Sequence, residues 1–177
     1  RRAEVAFVKN HIKDLTKITN IFVPKIINKK IEKIFSQGQI EGEFIIPFDS
    51  DGNIGKDYGF SGKILDASIN ITKKFHIKDL TAEINHLKDN EANIFNIKIK
   101  KGYLLEFSLA DSRFILRREN NKTDIKSLLK TKGEFNFSKI KIISSLLNIN
   151  ISNIEDFKAK VDLKTNIDLE LNNKYRI

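Results

Sequence analysis

The stretch Phe157–Leu171, FKAKVDLKTNIDLEL, puts an apolar residue at every odd position but one. Phe157, Ala159, Val161, Leu163, Ile167, Leu169 and Leu171 form the set, Thr165 interrupts it, and Lys158, Lys160, Asp162, Lys164, Asn166, Asp168 and Glu170 fill the even positions. Successive side chains of a strand point to opposite sides of its sheet, so this alternation describes a strand with one apolar and one wet face. Read as a single strand it rises ~3.4 Å per residue and approaches ~50 Å, where ordinary strands run to ~5 to 6 residues. A turn at Lys164-Thr165-Asn166 would split it in two. With neither glycine nor proline there and the phase intact across it, one long strand is the better reading.

Upstream, the same period recurs in shorter pieces. Gly133, Phe135 and Phe137 mark a strand, and a short helix near 139–147, carrying Ile140, Ile143, Leu146 and Leu147, separates it from the C-terminal segment. Phe114 and Leu116 mark another. Tyr103, Leu105, Phe107 and Leu109 alternate, as do Phe95, Ile97 and Ile99, with Lys101-Gly102 as the expected turn between the two runs. Leu80, Ala82 and Ile84 form a further run. Phe60, Gly62 and Ile64 begin one that slips phase to Leu65, Ala67, Ile69 and Ile71, and the extra residue signals a β-bulge. Ile40, Gly42, Phe44, Ile46 and Phe48 alternate with Gln39, Glu41 and Glu43 and stop at Asp49-Ser50-Asp51-Gly52. Gly38, Gly62, Gly102 and Gly133 each lead such a run at irregular spacing, which reads as a strand-start habit and not as a fixed-period repeat.

The N-terminal part has a different rhythm. After a short lead strand with Ala3, Val5 and Phe7, the residues Ile12, Leu15, Ile18, Ile21 and Phe22 recur at helical steps. Pro24 ends that helix and opens a second, with Ile26, Ile27, Ile31, Ile34 and Phe35 on one face and Gly38 as the stop. The expected fold is therefore mainly β with N-terminal helices, an α+β chain. Residues 1–37 supply the lead strand and two helices, and residues 38–177 a curved antiparallel sheet with the short helix near 139–147.

Composition narrows the function classes. One ordinary core suits 177 residues, of which 40% are hydrophobic and 31% charged. The absence of cysteine removes disulfides, thiolate metal sites and cysteine nucleophiles together. Apolar runs such as Phe44–Ile46 fall far short of the ~20 residues of a membrane-spanning helix. The net charge of +9 comes mainly from lysines scattered beside isoleucine and asparagine, with Arg113, Arg117 and Arg118 as the only arginine cluster away from the termini, so no nucleic-acid partner is expected. Without methionine, and opening on Arg1-Arg2-Ala3, the sequence reads as a piece of a longer polypeptide.

Chemistry-bearing patterns are scarce. His11, His76 and His86 stand in no metal-ligand spacing, and the Asp49 to Asn53 stretch has its glycine two residues too early for a calcium loop and lacks the closing glutamate. It reads as a turn. Glu41 and Glu43 share a strand face as paired carboxylates of a glycosidase would, but such pairs arise freely in a charged β chain. No enzymatic activity, metal or cofactor is expected. Long strands with one unbroken apolar face do need a cover, which a sheet folded on itself or a lipid would supply.

At this point the chain resembles the AsmA-like superfamily, bacterial relatives of the bridge-like lipid transfer proteins, and within it the YhdP and TamB type. The resemblance is carried by the helical lead Ile18 to Phe35 with Val23-Pro24 running into Gly38-Gln39-Ile40-Glu41-Gly42. Phe60-Ser61-Gly62-Lys63-Ile64, Ile77-Lys78-Asp79-Leu80-Thr81-Ala82, and Ile154-Glu155-Asp156-Phe157-Lys158-Ala159 leading into the long alternation complete it. It implies a gutter-shaped antiparallel sheet, a repeating β-groove, whose apolar inner face carries phospholipid acyl chains between inner and outer membranes. Phe44, Ile46, Leu105, Phe107, Phe135, Phe137 and the odd positions Phe157, Ala159, Val161, Leu163, Ile167, Leu169 and Leu171 would line it. It also implies a Gram-negative periplasm, with inner-membrane anchoring through a part of the parent protein outside this chain. The competing expectation is a structural or adhesion β-sandwich whose apolar stripe is sealed core.

Overall fold

The computed structural model describes residues 1–14, 33–53, 55, 58–71, 75–89, 92–119, 122–147, 150 and 157–172. Among the described residues nine strands form one sheet: β1 (Arg2–His11), β2 (Phe35–Pro47), β3 (Gly59–Asn70), β4 (His76–Asp89), β5 (Ala92–Leu104), β6 (Phe107–Ser108), β7 (Arg113–Glu119), β8 (Lys122–Asn136) and β9 (Lys158–Asn172). Helix α1 (Phe137–Leu147) follows β8. Every pairing is antiparallel, and β1 to β5 form a meander. Both β6 and β7 then pair with β5 on one side and β8 on the other. They are consecutive pieces of one row, broken at residues 109–112. The ladder continues through the break by hydrogen bonds of 2.9 Å from Ile99 N–H to Ser112 C=O, Asp111 N–H to Ile99 C=O and Leu109 N–H to Gly102 C=O.

The C-terminal alternation is one strand. β9 pairs with β8 without interruption from Lys122↔Asn172 to Asn136↔Lys158, so nothing turns at Thr165. Directly opposed residues of an antiparallel pair share a face, and the registers can therefore be followed across the sheet. Leu169 faces Ile125, Ile125 faces Leu116, Leu116 faces Phe95, Phe95 faces His86, His86 faces Phe60, Phe60 faces Phe44 and Phe44 faces Val5. Most large apolar residues of the long strands thus stand on one side, with Ile45, Leu87, Ile94, Ile115 and Leu128 as exceptions on the other. The other side carries charge, with Lys63–Glu41 at 3.6 Å, Lys100–Glu83 at 3.1 Å and Lys122–Glu170 at 3.0 Å.

Irregularities line up across this sheet. Register shifts fall between Phe7 and Asn10, around Gln37, between Ile64 and Ala67, and between Lys78 and Ala82, followed by the break at 109–112. Left-handed backbone marks the line at Gly38 (φ 137°), Asp66 (46°), Asp79 (50°) and Asp111 (64°), and aspartate tolerates that conformation better than most residues. A bulge bends its strand, and bulges in line bend a sheet. The buried apolar residues Ile12, Ile40, Ile64, Ala67, Leu80, Ala82, Ile99 and Leu109 form one cluster along this line. The core is a seam in one folded sheet. The bulge expected after Ile64 is one member of the line.

Several local expectations need correction. β2 starts at Phe35, so Phe35 is a strand residue and Gly38 lies within the strand, pressed against Ala67 and Ile12. Residues 12–14 and 33–34 are helical, and the rest of the two-helix reading, Pro24 included, lies outside the described residues. Lys101 and Gly102 continue β5, and the turn comes at Leu105-Glu106, both with positive φ (50° and 66°) as a two-residue hairpin turn of the mirror-image type requires. Phe137 opens α1. Asn136 ends β8 by accepting the Lys139 N–H on its side-chain oxygen at 3.1 Å, which caps the helix and takes Phe137 out of the sheet. The Asp49 carboxylate likewise turns inward: one oxygen accepts the N–H groups of Asp51 (2.9 Å) and Asn53 (2.8 Å), so the segment is a self-capped turn.

The glycines expected to start strands are interior positions on the apolar face, each where a neighbour lies over the backbone. A Cβ on Gly62 would stand 2.7 Å from the Phe60 ring, and one on Gly133 would stand 3.0 Å from Phe107. The rings cover exposed ladder and gain packing area in exchange for the missing side chain.

Candidate functional site

The apolar face is the first candidate. Phe7, Phe44 and Phe60 cluster at one end, with ring centroids 4.9 to 6.2 Å apart. Phe107, Phe135 and Phe157 follow one another at 5.8 and 6.0 Å toward β9. Between them the central strands contribute Ile84, Ile97 and Phe114, packed against the seam. Covering thins out toward β9: Ala159 is exposed, and Leu163 and Leu169 keep 55% and 50% of their surface in solvent. Val5 (49%) and Phe95 (38%) are similarly open. Large apolar side chains in one continuous, partly open row are the kind of surface that soluble proteins normally reserve for binding.

Of the residues expected to line a groove, Phe44, Ile46, Phe107, Phe135, Ala159, Val161, Leu163, Ile167, Leu169 and Leu171 share this face by register, and the Phe157 ring meets Phe135 at its edge. Leu105 and Phe137 do not belong to the strands of that face. The first is in the hairpin turn, and the second lies in α1 under the Lys141 ammonium, 4.4 Å from its ring centroid. Alternation within each strand could not predict that Phe7, Phe60, Ile84, Ile97 and Phe114 fall into one crosswise row system, because that depends on register. The pairs Phe60↔Phe44 and Phe114↔Ile97 settle it.

His86 sits on this face and is buried, with its Nε2 3.1 Å from Asn93 Oδ1 and its ring against Phe95 and Tyr58. Its surroundings are aromatic and a single amide, which makes it a packed residue. Among the described residues no group of three histidine, aspartate or glutamate side chains could hold a metal ion.

A second feature lies on the polar side. An open depression of about 1200 Å³ runs across the sheet from β1 to β7, floored by the backbone of the row Phe7, Gly42, Gly62, Ile84, Ile97 and Phe114. Glu41, Glu43 and Lys63 flank one end. Asn85, Asn96, Lys98 and Arg113 flank the other. Lys98 and Arg113 are directly opposed across β5 and β7. The Lys100 ammonium close beside it holds Lys98 below the ordinary lysine range, with Arg113 adding to the effect. Lys100 is shifted upward by its hydrogen bond to Glu83.

No protein-family model matches the chain, and neither a curated protein nor a solved structure matches it.

Proposed function

We propose that the chain is a non-enzymatic lipid-conduit segment that carries phospholipid acyl chains along the apolar face of its sheet, in the manner of the AsmA-like proteins it resembles in sequence. The supporting observation is the single apolar face that the registers assemble from β1 to β9, buried along the seam and open at Leu163 and Leu169. Each methylene of an acyl chain laid on such a surface contributes ~0.8 kcal/mol, so a chain of ordinary length outweighs the cost of ordering it there. The aligned bulges supply the kind of bend that a gutter-shaped sheet needs. Charged ladders on the other side keep that side wet, as expected of a conduit crossing a bacterial periplasm between two membranes.

The test is to purify the protein from bacterial cells and identify co-purifying phospholipid by mass spectrometry, comparing the parent with Leu163→Asp and with the outward change Asp168→Asn. Lipid retained by the parent and by Asp168→Asn but lost from a folded Leu163→Asp supports the conduit. Absence of lipid from all three turns the reading toward a structural β module whose apolar face is closed by protein.

A further inference from the structure

The depression on the polar side has a feature that sheet stability does not explain. Lys98 and Arg113 are Cα partners on adjacent strands. Like charges directly opposite one another destabilise a sheet. Lys100 adds a third cation two residues along, and the one carboxylate beside them, Glu83, is the Cα partner of Lys98 on β4 and lines the depression, but its ion pair at 3.1 Å is with Lys100. Among the described residues neither Lys98 nor Arg113 forms an ion pair with a carboxylate. The other end of the same depression shows what neutralisation looks like, where Lys63 lies 3.6 Å from Glu41.

The donors around the unneutralised pair form a set. Asn96 precedes Lys98 by two residues on the same face of β5 and is the Cα partner of Asn85 on β4, and both amides line the depression. Arg113 offers a planar fork, Lys98 a compact ammonium and the two asparagines neutral N–H donors. An oxyanion with several acceptor oxygens can take hydrogen bonds from all of them, and its charge removes the cross-strand repulsion.

We propose that Lys98 and Arg113, with Asn85 and Asn96, form a binding site for a phosphate-type oxyanion in the depression on the polar side of the sheet. The occupant is a phosphomonoester or phosphodiester group, whether of a soluble phosphate or of a lipid headgroup. The site stands apart from the apolar face and does not depend on lipid being carried there.

The experiment follows the thermal midpoint and calorimetric titration of the intact protein with inorganic phosphate, at constant ionic strength against chloride. A parallel arm measures co-sedimentation with phosphatidylglycerol-containing vesicles against phosphatidylcholine vesicles. The variants are Lys98→Gln, Arg113→Gln and, as control, Lys130→Gln, since Lys130 and Lys164 are also opposed cations but lie outside the depression. The proposal expects phosphate to bind and raise the midpoint of the parent, Lys98→Gln and Arg113→Gln to weaken it at least about tenfold, and Lys130→Gln to leave it unchanged. In chloride alone Arg113→Gln should melt no lower than the parent, because it removes repulsion, and this separates a lost site from a lost fold. Vesicle binding that depends on Lys98 and Arg113 assigns the group to a lipid headgroup, and phosphate binding without it assigns a soluble phosphate. The proposal is overturned if neither phosphate nor anionic vesicles bind, or if Lys130→Gln weakens binding as much as the other two.

Discussion

The Ser112 hydroxyl takes the place of a ladder partner for Lys130: it accepts the Lys130 N–H at 2.9 Å and donates to the Lys130 C=O at 3.1 Å. This is where the row of β6 and β7 breaks, so β8 would otherwise face a gap with a donor and an acceptor unpaired. Ser112 is fully buried, which keeps water from filling in for it. Ser112→Ala should therefore cost about 2 to 4 kcal/mol in urea unfolding, the penalty for two backbone groups left unsatisfied. Ser127→Ala is the comparison. Its hydroxyl reaches Ile167 C=O only at 3.5 Å, and the change should cost less than about 1 kcal/mol.

Gly38 lies on the line of bulges, packed closely against β3. A Cβ there would stand 2.6 Å from Ala67 Cβ and 2.8 Å from its Cα, at a φ of 137° that side chains rarely adopt. Both objections apply at once, because backbone cannot rotate aside as a side-chain tip can. Gly38→Ala should destabilise by about 3 kcal/mol or more. At Gly52, with φ 84° and nothing within 4 Å, only the backbone objection remains, so Gly52→Ala should cost about 1 kcal/mol.

What the sequence revealed follows from where the alternation was clean. β9 and the cores of β2 to β5 were legible because Ile, Val, Leu and Phe, with a few Ala and Gly, hold most alternate positions there. The first eleven residues of β8 were missed, since Thr123, Ser127 and Thr131 occupy the apolar face while Leu128 sits on the other, and the period drowns. The line of bulges was visible at one strand only. Asp66 followed a phase slip within its own run, whereas Asp79 and Asp111 gain meaning only once the strands stand side by side. Of the proposed sites, the apolar row was readable strand by strand. The opposition of Lys98 and Arg113 was not, because no local pattern relates residue 98 to residue 113.

Asp49 gives the chain an acid-sensitive turn. Its carboxyl is held below its ordinary value of 3.8, chiefly by the hydrogen bond from the Asn53 backbone. A carboxyl with a lowered folded-state pKa contributes stability above its unfolded value and loses it as pH falls through the folded one. In Asp49→Asn the side-chain oxygen can still accept those bonds but cannot titrate. The stability gap between parent and variant should stay constant from pH 6 to about 4 and close below the carboxyl's unfolded value. Urea midpoints measured across that range check it, and a gap that stays constant down to pH 2.5 would show that the turn is indifferent to the charge.

Leu80 and Leu169 stand on the same face with very different cover, at 5% and 50% exposure. Leu80 lies in the seam, where an aspartate would be buried without a partner. Leu80→Asp should cost about 4 kcal/mol or leave the protein unfolded. Leu169 is open to solvent on one side, so the new carboxylate can stay hydrated, and Leu169→Asp should cost only about 1 kcal/mol of lost apolar contact. The pair measures whether the two ends of the apolar face differ as a gutter with an open rim requires. Near-equal losses in chemical unfolding would mean that protein covers Leu169 in solution as tightly as it covers Leu80, leaving no surface there for an acyl chain, and the face would be core throughout.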